Sequence, residues 1–311
     1  LVLLKIGVLV GAFYFIYDRL INNDLLSFTD FYSFTIKNDA FSVKNIIFLL
    51  ILSFFNWFFE ILKWQILVDP IKKLIFPQAS EQTLGSLTAS LLTPNRIGEY
   101  GAKAMFSDRF NRSRILLINL LGNMLQMSVT LLFGMIGFSI FISQNPLQFN
   151  YSQFLKAILI ISGILCFLII QFRFKKLSIR GYSLIKIRSF ISNYPNKNTF
   201  AGFGLSVFRY LIFSFQFYFI LHILGAELNY YDAMVVISST YLLSSILPSI
   251  FVLDVIIKGS VALYLFTLIG ISDLVILSAI TIMWLFNFVF PSILGSMYVL
   301  KFKLPVNLES T

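Results

Sequence analysis

The chain has 311 residues, 58% of them hydrophobic and 12% charged, with a formal net charge of +10. So much apolar surface has no use in a soluble core, so the composition defines a polytopic membrane protein and leaves no stretch polar or long enough for a separate soluble catalytic domain. A single cysteine, Cys166, and a single histidine, His222, exclude disulfides, cysteine-built zinc or iron–sulfur sites and His-rich metal centres; no cofactor is expected. In a membrane chain the positive charge points to cytoplasmic loops and anionic lipid, and not to nucleic acid.

Taken in order, residues 1–17 read as an anchor helix, with no small-residue cleavage site behind them. Residues 18–44 form a mixed polar loop with four Asp together with Arg19, Lys37 and Lys44. Residues 45–68 are a full span, and 69–82 a connector with Lys72 and Lys73. Residues 84–106 are an interrupted apolar stretch, followed by a short loop with Arg109, Arg112 and Arg114. Residues 115–142 span, 143–153 lack Lys and Arg, and 154–172 span again. Residues 173–198 carry seven Lys or Arg and no acid, and 199–222 span. Glu227 and Asp232 follow in a loop without a base. Residues 233–252 and 255–271 are two apolar runs separated by Pro248 and Asp254. Residues 274–300 are the last span, with Lys301 and Lys303 after it. The excess of bases puts the 109–114 and 173–198 loops and both termini on the cytoplasmic side, and the 143–153 and 225–232 loops outside.

The chemistry concentrates in the interrupted stretch, Thr93-Pro-Asn-Arg-Ile-Gly-Glu-Tyr-Gly-Ala-Lys103. Pro94, Gly98 and Gly101 break a helix that the flanks would otherwise continue, and Arg96, Glu99 and Lys103 fall within eight residues. Charges at bilayer depth cost roughly 2.5–3.5 kcal/mol each even on insertion scales. Broken backbone is tolerated there only inside protein or beside a wet cavity. Glu99 and Lys103 are spaced i,i+4 in the favourable acid-first order.

The second half repeats this outline. Pro248 is followed by Asp254 and Lys258, again acid then base at i,i+4, and a run rich in hydroxyl residues precedes each proline. Those residues are Ser86, Thr88, Ser90 and Thr93 in one run, and Ser238, Ser239, Thr240, Ser244 and Ser245 in the other. Each unit lies between two long spans, repeat one at about 45–142 and repeat two at about 199–300 of a single membrane domain. The topology enters the two from opposite sides, the layout of inverted repeats whose broken segments meet near the midplane. The expected fold is all-α, with inverted-topology repeats and two broken or re-entrant hairpins; fully spanning segments fit the same parity.

Thr93-Pro-Asn-Arg-Ile-Gly-Glu99 resembles the Thr-Pro-Gly-Arg-x-Gly-Glu signature of the lysylphosphatidylglycerol synthase transmembrane family. The Asn56-Trp57…Glu60…Lys63-Trp64 helix and the Pro248–Asp254 segment fit as well, so the resemblance covers nearly the whole chain. Asn95 stands where Gly is usual, and Ser249-Ile-Phe-Val-Leu-Asp254 is apolar where the family tends to glycines and Glu. The resemblance implies a membrane domain of the kind that flips aminoacylated phosphatidylglycerol, with relatives linked to other lipids such as hopanoids. It brings no soluble synthetase domain, so aminoacyl transfer is not expected.

Each charged candidate has two roles open to it. Arg96, at a helix break, can grip a phosphate bidentately or pin the break by pairing with Glu99; Thr93 and Asn95 beside it complete the head-group set. Lys103 is a second anion contact or the partner of Glu99. Arg209 lies near the midplane and needs water or a partner, Asp254 or Glu60. Glu60 lines a cavity or ties helices together, while Lys63 can snorkel. Asp254 and Lys258 contribute to the site or lie near a membrane surface. Trp57 and Trp64 read as packing and interface anchors, and Asn119, Asn123 and Gln126 as links between helices.

The sequence thus leads to the expectation of a protein that moves a lipid with an anionic head group between the leaflets of a prokaryotic inner membrane. Its partners are that lipid and, beyond it, a second copy or the enzyme that makes the lipid. No Gly-rich phosphate loop is present, so ATP is not expected to drive it. The alternatives are a membrane-embedded transferase acting on lipid head groups, with Glu99 or Asp254 as base, and an assembly protein that transports nothing.

Overall fold

The computed structural model describes residues 10, 27–91, 93, 97–145, 189–190, 192–246 and 253–302, with the side chains of Phe28 and residues 253–258 outside that description. The anchor helix of residues 1–17 apart from Val10, the span of 154–172, and Pro94, Asn95, Arg96 and Pro248 therefore lie outside the described residues.

The described residues form helices and no strand. The first helix, α1, runs Phe28–Lys37 within the stretch expected to be loop. It forms there because Ser27 caps it, accepting from the Asp30 N–H at 3.1 Å, and because Phe31 and Thr35, one turn apart, are both buried. Helix α2 spans Val43–Val68, α3 Phe76–Ser90, α4 Ile97–Met105 and α5 Arg112–Gln144. Helix α3 begins eight residues before the expected interrupted stretch. Pro77 sits in its first turn, where a missing N–H is harmless, and the Gln78 side chain accepts from the Ile75 N–H at 3.3 Å.

Helix α6 spans Asn196–Ile223, α7 Tyr230–Ile246 and α8 Leu253–Leu268. The last span is α9 at Asp273–Trp284, a π-helical turn at Leu285–Val289 and α10 at Phe290–Lys301. Four described helices are long and apolar enough to cross a membrane: α2, α5, α6 and the continuous Asp273–Lys301 segment. The 15 residues of α3, 9 of α4, 17 of α7 and 16 of α8 each fall short of the roughly 20 that a span requires.

Two four-element units thus follow one another, each a long helix, a broken pair and a long closing helix. Their first helices pack antiparallel: Leu49 near the start of α2 meets Gln216 near the end of α6, while Ile66 near the end of α2 meets Asn198 at the start of α6. Helices α5 and α6 run parallel, since Leu125 approaches Gly202 and Phe133 stacks on Tyr210 at 4.9 Å further along both. The packing is exchanged between units. Helix α3 lies along α10, the closing helix of unit two, and α7 lies along α5, the closing helix of unit one. This is the arrangement of inverted repeats.

Both exchanged contacts bring backbones close at glycine. A Cβ on Gly295 of α10 would stand 2.2 Å from the Leu84 carbonyl oxygen of α3. One on Gly134 of α5 would stand 2.6 Å from Leu242 Cβ of α7. Small residues of this kind let helices associate in lipid, where no hydrophobic force drives them together.

The apolar core has two parts. One gathers Leu49, Phe217, Ile237, Phe266 and Ile276 in unit two, and the other gathers Trp64, Leu67, Leu87 and Ile118 in unit one. Helix α2 contributes to both, and between Leu49 and Trp64 its inward face turns polar.

Candidate functional site

Helix α2 presents Ser53, Asn56, Trp57, Glu60 and Trp64 at i, i+3, i+4, i+7 and i+11 spacing, all buried. Their partners come first from the π turn opposite. The Phe290 N–H bonds to the Leu285 carbonyl, one residue further back than in an α-helix, so the Phe286 carbonyl is released; the Ser53 hydroxyl donates to it. Pro291 has no N–H, so the Asn287 carbonyl four residues earlier loses its helical donor as well. Trp57 Nε1 donates to that carbonyl at 3.0 Å. The Asn287 side chain accepts from Asn56 Nδ2 at 2.8 Å and donates to Gln216 Oε1 at 2.8 Å.

Glu60 is the acid of this cluster. Lys63 Nζ lies 2.7 Å and Arg209 Nη1 2.6 Å from its Oε2. Arg209 also donates through Nε to Asn56 Oδ1 at 3.0 Å, and its guanidinium carbon stands 5.7 Å from the Trp57 ring. It falls at the middle of α6, about 20 Å from either end. Of the two acceptors open to Arg209 from the sequence, Glu60 is the one it takes.

The second cluster surrounds the break. Thr93 Oγ1 donates to the Ser90 carbonyl at 3.0 Å and accepts from the Gly98 N–H at 2.7 Å, so one hydroxyl joins the end of α3 to the first turn of α4. Gly98 has to lack a side chain: a Cβ there would meet the Ala89 carbonyl oxygen at 2.6 Å and Thr93 Oγ1 at 2.8 Å. One turn on, Lys103 is 1% exposed. Its ammonium reaches Glu99 Oε1 at 2.7 Å, Asn119 Oδ1 on α5 at 2.8 Å and the face of Trp64 at 4.1 Å. Trp64 in turn donates to Gln82 of α3 at 2.9 Å. Lys103 therefore ties α4 to α5 and α2 with every direction of its ammonium engaged.

The two clusters share α2, whose Trp64 ring faces the Lys103 ammonium. Among the described residues they hold three cations, Lys63, Lys103 and Arg209, against two carboxylates, Glu60 and Glu99. The Lys63 and Lys103 side chains are 3% and 2% exposed, whereas that of Arg209 is 19% exposed. Nε and Nη1 of Arg209 face inward to Asn56 and Glu60, and among the described residues nothing accepts from Nη2. The excess cation is thus also the accessible one, which suits the site to an anion.

Of the residues singled out in the sequence, Glu60 and Arg209 come together, and so do Glu99 and Lys103 with Thr93 at the break. Asn95 and Arg96 lie outside the described residues. Asp254 and Lys258 fall in the first two turns of α8, and their side chains lie outside the description, as do both tips of the broken pairs where those were expected to meet. Trp57 and Trp64 are buried hydrogen-bond donors and not interface anchors, because the carbonyl freed by Pro291 and the Gln82 amide take their indole N–H groups. Asn119, Asn123 and Gln126 do link helices, to Lys103, the Tyr100 hydroxyl and the Ser206 carbonyl. Gln216 and Asn287 were not legible as site residues. The available signal was Asn287 four residues before Pro291 inside an apolar span, a spacing that strips a carbonyl of its donor.

The fold and the buried charges define a polytopic helical membrane protein built from inverted repeats around a polar interior. A family model described as lysylphosphatidylglycerol synthase TM region matches residues 2–295, and the chain belongs to that family. No curated protein and no solved structure matches it. Membership places the chain among membrane proteins with a lipid-related role.

Proposed function

We propose that the protein moves a lipid with an anionic head group between membrane leaflets. The observation that carries this reading is the buried charge cluster at mid-helix depth, with three cations against two acids among the described residues and Arg209 the most exposed of the three cations. A head group entering it exchanges water for fixed donors while the tails stay in lipid. Arg96, at the break between α3 and α4, is the second cation on this reading. The reading has no chemical step; Glu60 and Glu99 hold cations in place.

The test is reconstitution in vesicles of phosphatidylethanolamine and phosphatidylglycerol with a fluorescent phosphatidylglycerol probe. The expected result is faster exchange of the probe between leaflets than in protein-free vesicles, with no new lipid by mass spectrometry. A modified lipid without exchange would support a transferase. Neither result would leave an assembly role.

The proposal includes an orientation in a prokaryotic inner membrane with both termini cytoplasmic, supported by the seven bases of residues 173–198 against none in 143–153. Single cysteines at Ser192 and Gln148 in a Cys166→Ala background are expected to label from opposite sides of the membrane. Labelling from one side would contradict the orientation.

A further inference from the structure

Three side-chain amides stand in series where α2, α6 and the π turn meet. Gln216 Nε2 donates to the Leu49 carbonyl at 3.2 Å, which turns its Oε1 toward Asn287 Nδ2 at 2.8 Å. Asn287 Oδ1 accepts from Asn56 Nδ2 at 2.8 Å, and Asn56 Oδ1 accepts from Arg209 Nε at 3.0 Å. Each amide donates on one side and accepts on the other, Asn287 Nδ2 donating also to the Met283 carbonyl at 3.1 Å, so none can flip without breaking at least two bonds. The series begins at a backbone carbonyl, which can only accept, and ends at a guanidinium, which can only donate. Its sense is therefore fixed from end to end. Gln216, Asn287 and Asn56 are all 2% exposed or less, so water does not compete along the way.

This series fixes the plane of the Arg209 guanidinium through its Nε. Asn56 accepts from Nε and Glu60 from Nη1, so Nη2 is the nitrogen with no acceptor among the described residues. Beside it, Phe208 is 56% exposed and stacks on Phe59 at 5.6 Å, an apolar surface that suits acyl chains better than a free ion.

We propose that Gln216, Asn287 and Asn56 form a positioning relay that aims Nη2 of Arg209 at one phosphate oxygen of a lipid head group. The proposal rests on the lipid-movement reading for the source of the phosphate and on the hydrogen-bond series for the geometry. Gln216 touches neither Arg209 nor the ligand, so its effect has to travel through two amides.

The experiment measures calorimetric binding of dihexanoyl phosphatidylglycerol to the full chain in neutral detergent, against dihexanoylglycerol and inorganic phosphate. The wild type is expected to bind the phospholipid and to bind both comparison ligands more weakly. Gln216→Met keeps the volume and removes the head of the series; the Kd is expected to rise about 3- to 10-fold, the worth of a neutral hydrogen bond. In an Arg209→Lys background the same swap is expected to change nothing, because an ammonium has no Nε to orient. A merely structural Gln216 would give the same loss in both backgrounds, and that result would overturn the relay. So would an unchanged Kd in Gln216→Met. Asn287→Leu enters the series one step later and is read through the same cycle should Gln216→Met fold poorly. Inorganic phosphate bound as tightly as the phospholipid would overturn the lipid source. A wild type that binds but moves no lipid would sink the transport reading and leave the relay standing; a wild type that moves lipid with Kd values indifferent to Gln216 and Asn287 would do the reverse.

Discussion

Glu60→Leu is expected to leave little folded protein, whereas Arg209→Met is expected to fold and to lose lipid movement. Glu60 Oε2 holds two cations, Lys63 at 2.7 Å and Arg209 at 2.6 Å, and its side chain is 10% exposed. Removing it leaves both cations buried without a counter-charge. Breaking one buried pair already costs about 3–5 kcal/mol, a large share of the 5–15 kcal/mol that typically separates folded from unfolded. Removing Arg209 leaves Glu60 with Lys63 in place and abandons only the Asn56 acceptor, at about 1–3 kcal/mol. The two proteins thus separate a structural charge from the one the head group is proposed to meet. Thermal unfolding in detergent and vesicle exchange of the fluorescent lipid give the comparison. A Glu60→Leu protein as stable as wild type would mean that water screens the cluster. An Arg209→Met protein with normal lipid exchange would remove Arg209 from the path.

Composition and proline spacing made the architecture legible. An apolar chain with two Pro-to-acid-to-base segments and opposite loop charge points to a membrane-spanning, internally repeated fold, and the antiparallel α2 and α6 agree with it. The charged residues were legible for the same reason, since a charge in an apolar span has few excuses. Their pairing was less so. Arg209 and Glu60 are 149 residues apart, and nothing local distinguishes Glu60 from Asp254 as partner. The amide series escaped because Gln216 and Asn287 are neutral and each looks like an ordinary helix link. Its cause is a backbone event, the π turn with Pro291 after it, which frees two carbonyls and turns Asn287 toward α2. Helix α1 was not legible because the four Asp and three bases of residues 18–44 suggest a loop, whereas the Ser27 cap and the buried Phe31–Thr35 pair decide the matter.

The Glu99–Lys103 pair yields the last prediction. Lys103→Met is expected to be unstable, and Lys103→Met with Glu99→Gln is expected to recover most of the loss. Lys103 is 1% exposed, with Glu99, Asn119 and the Trp64 face around its ammonium. Taking it away breaks the buried pair with Glu99 and the bond to Asn119, at about 3–5 kcal/mol, whereas removing both charges leaves polar and apolar groups of nearly the same volume. Lys103→Arg should not substitute, because a planar fork does not fit a space closed around a compact ammonium. The measurement is thermal unfolding of the three proteins beside wild type. Equal stability of Lys103→Met and wild type would show that the pair is not a strut. Lipid exchange by the double variant then assigns the role. Since every direction of the ammonium is already engaged by protein, the double variant is expected to move lipid at close to the wild-type rate. Loss of exchange in a stable double variant would instead put Glu99 and Lys103 in contact with the head group, and would make the break at Thr93–Gly98 part of the path rather than its frame.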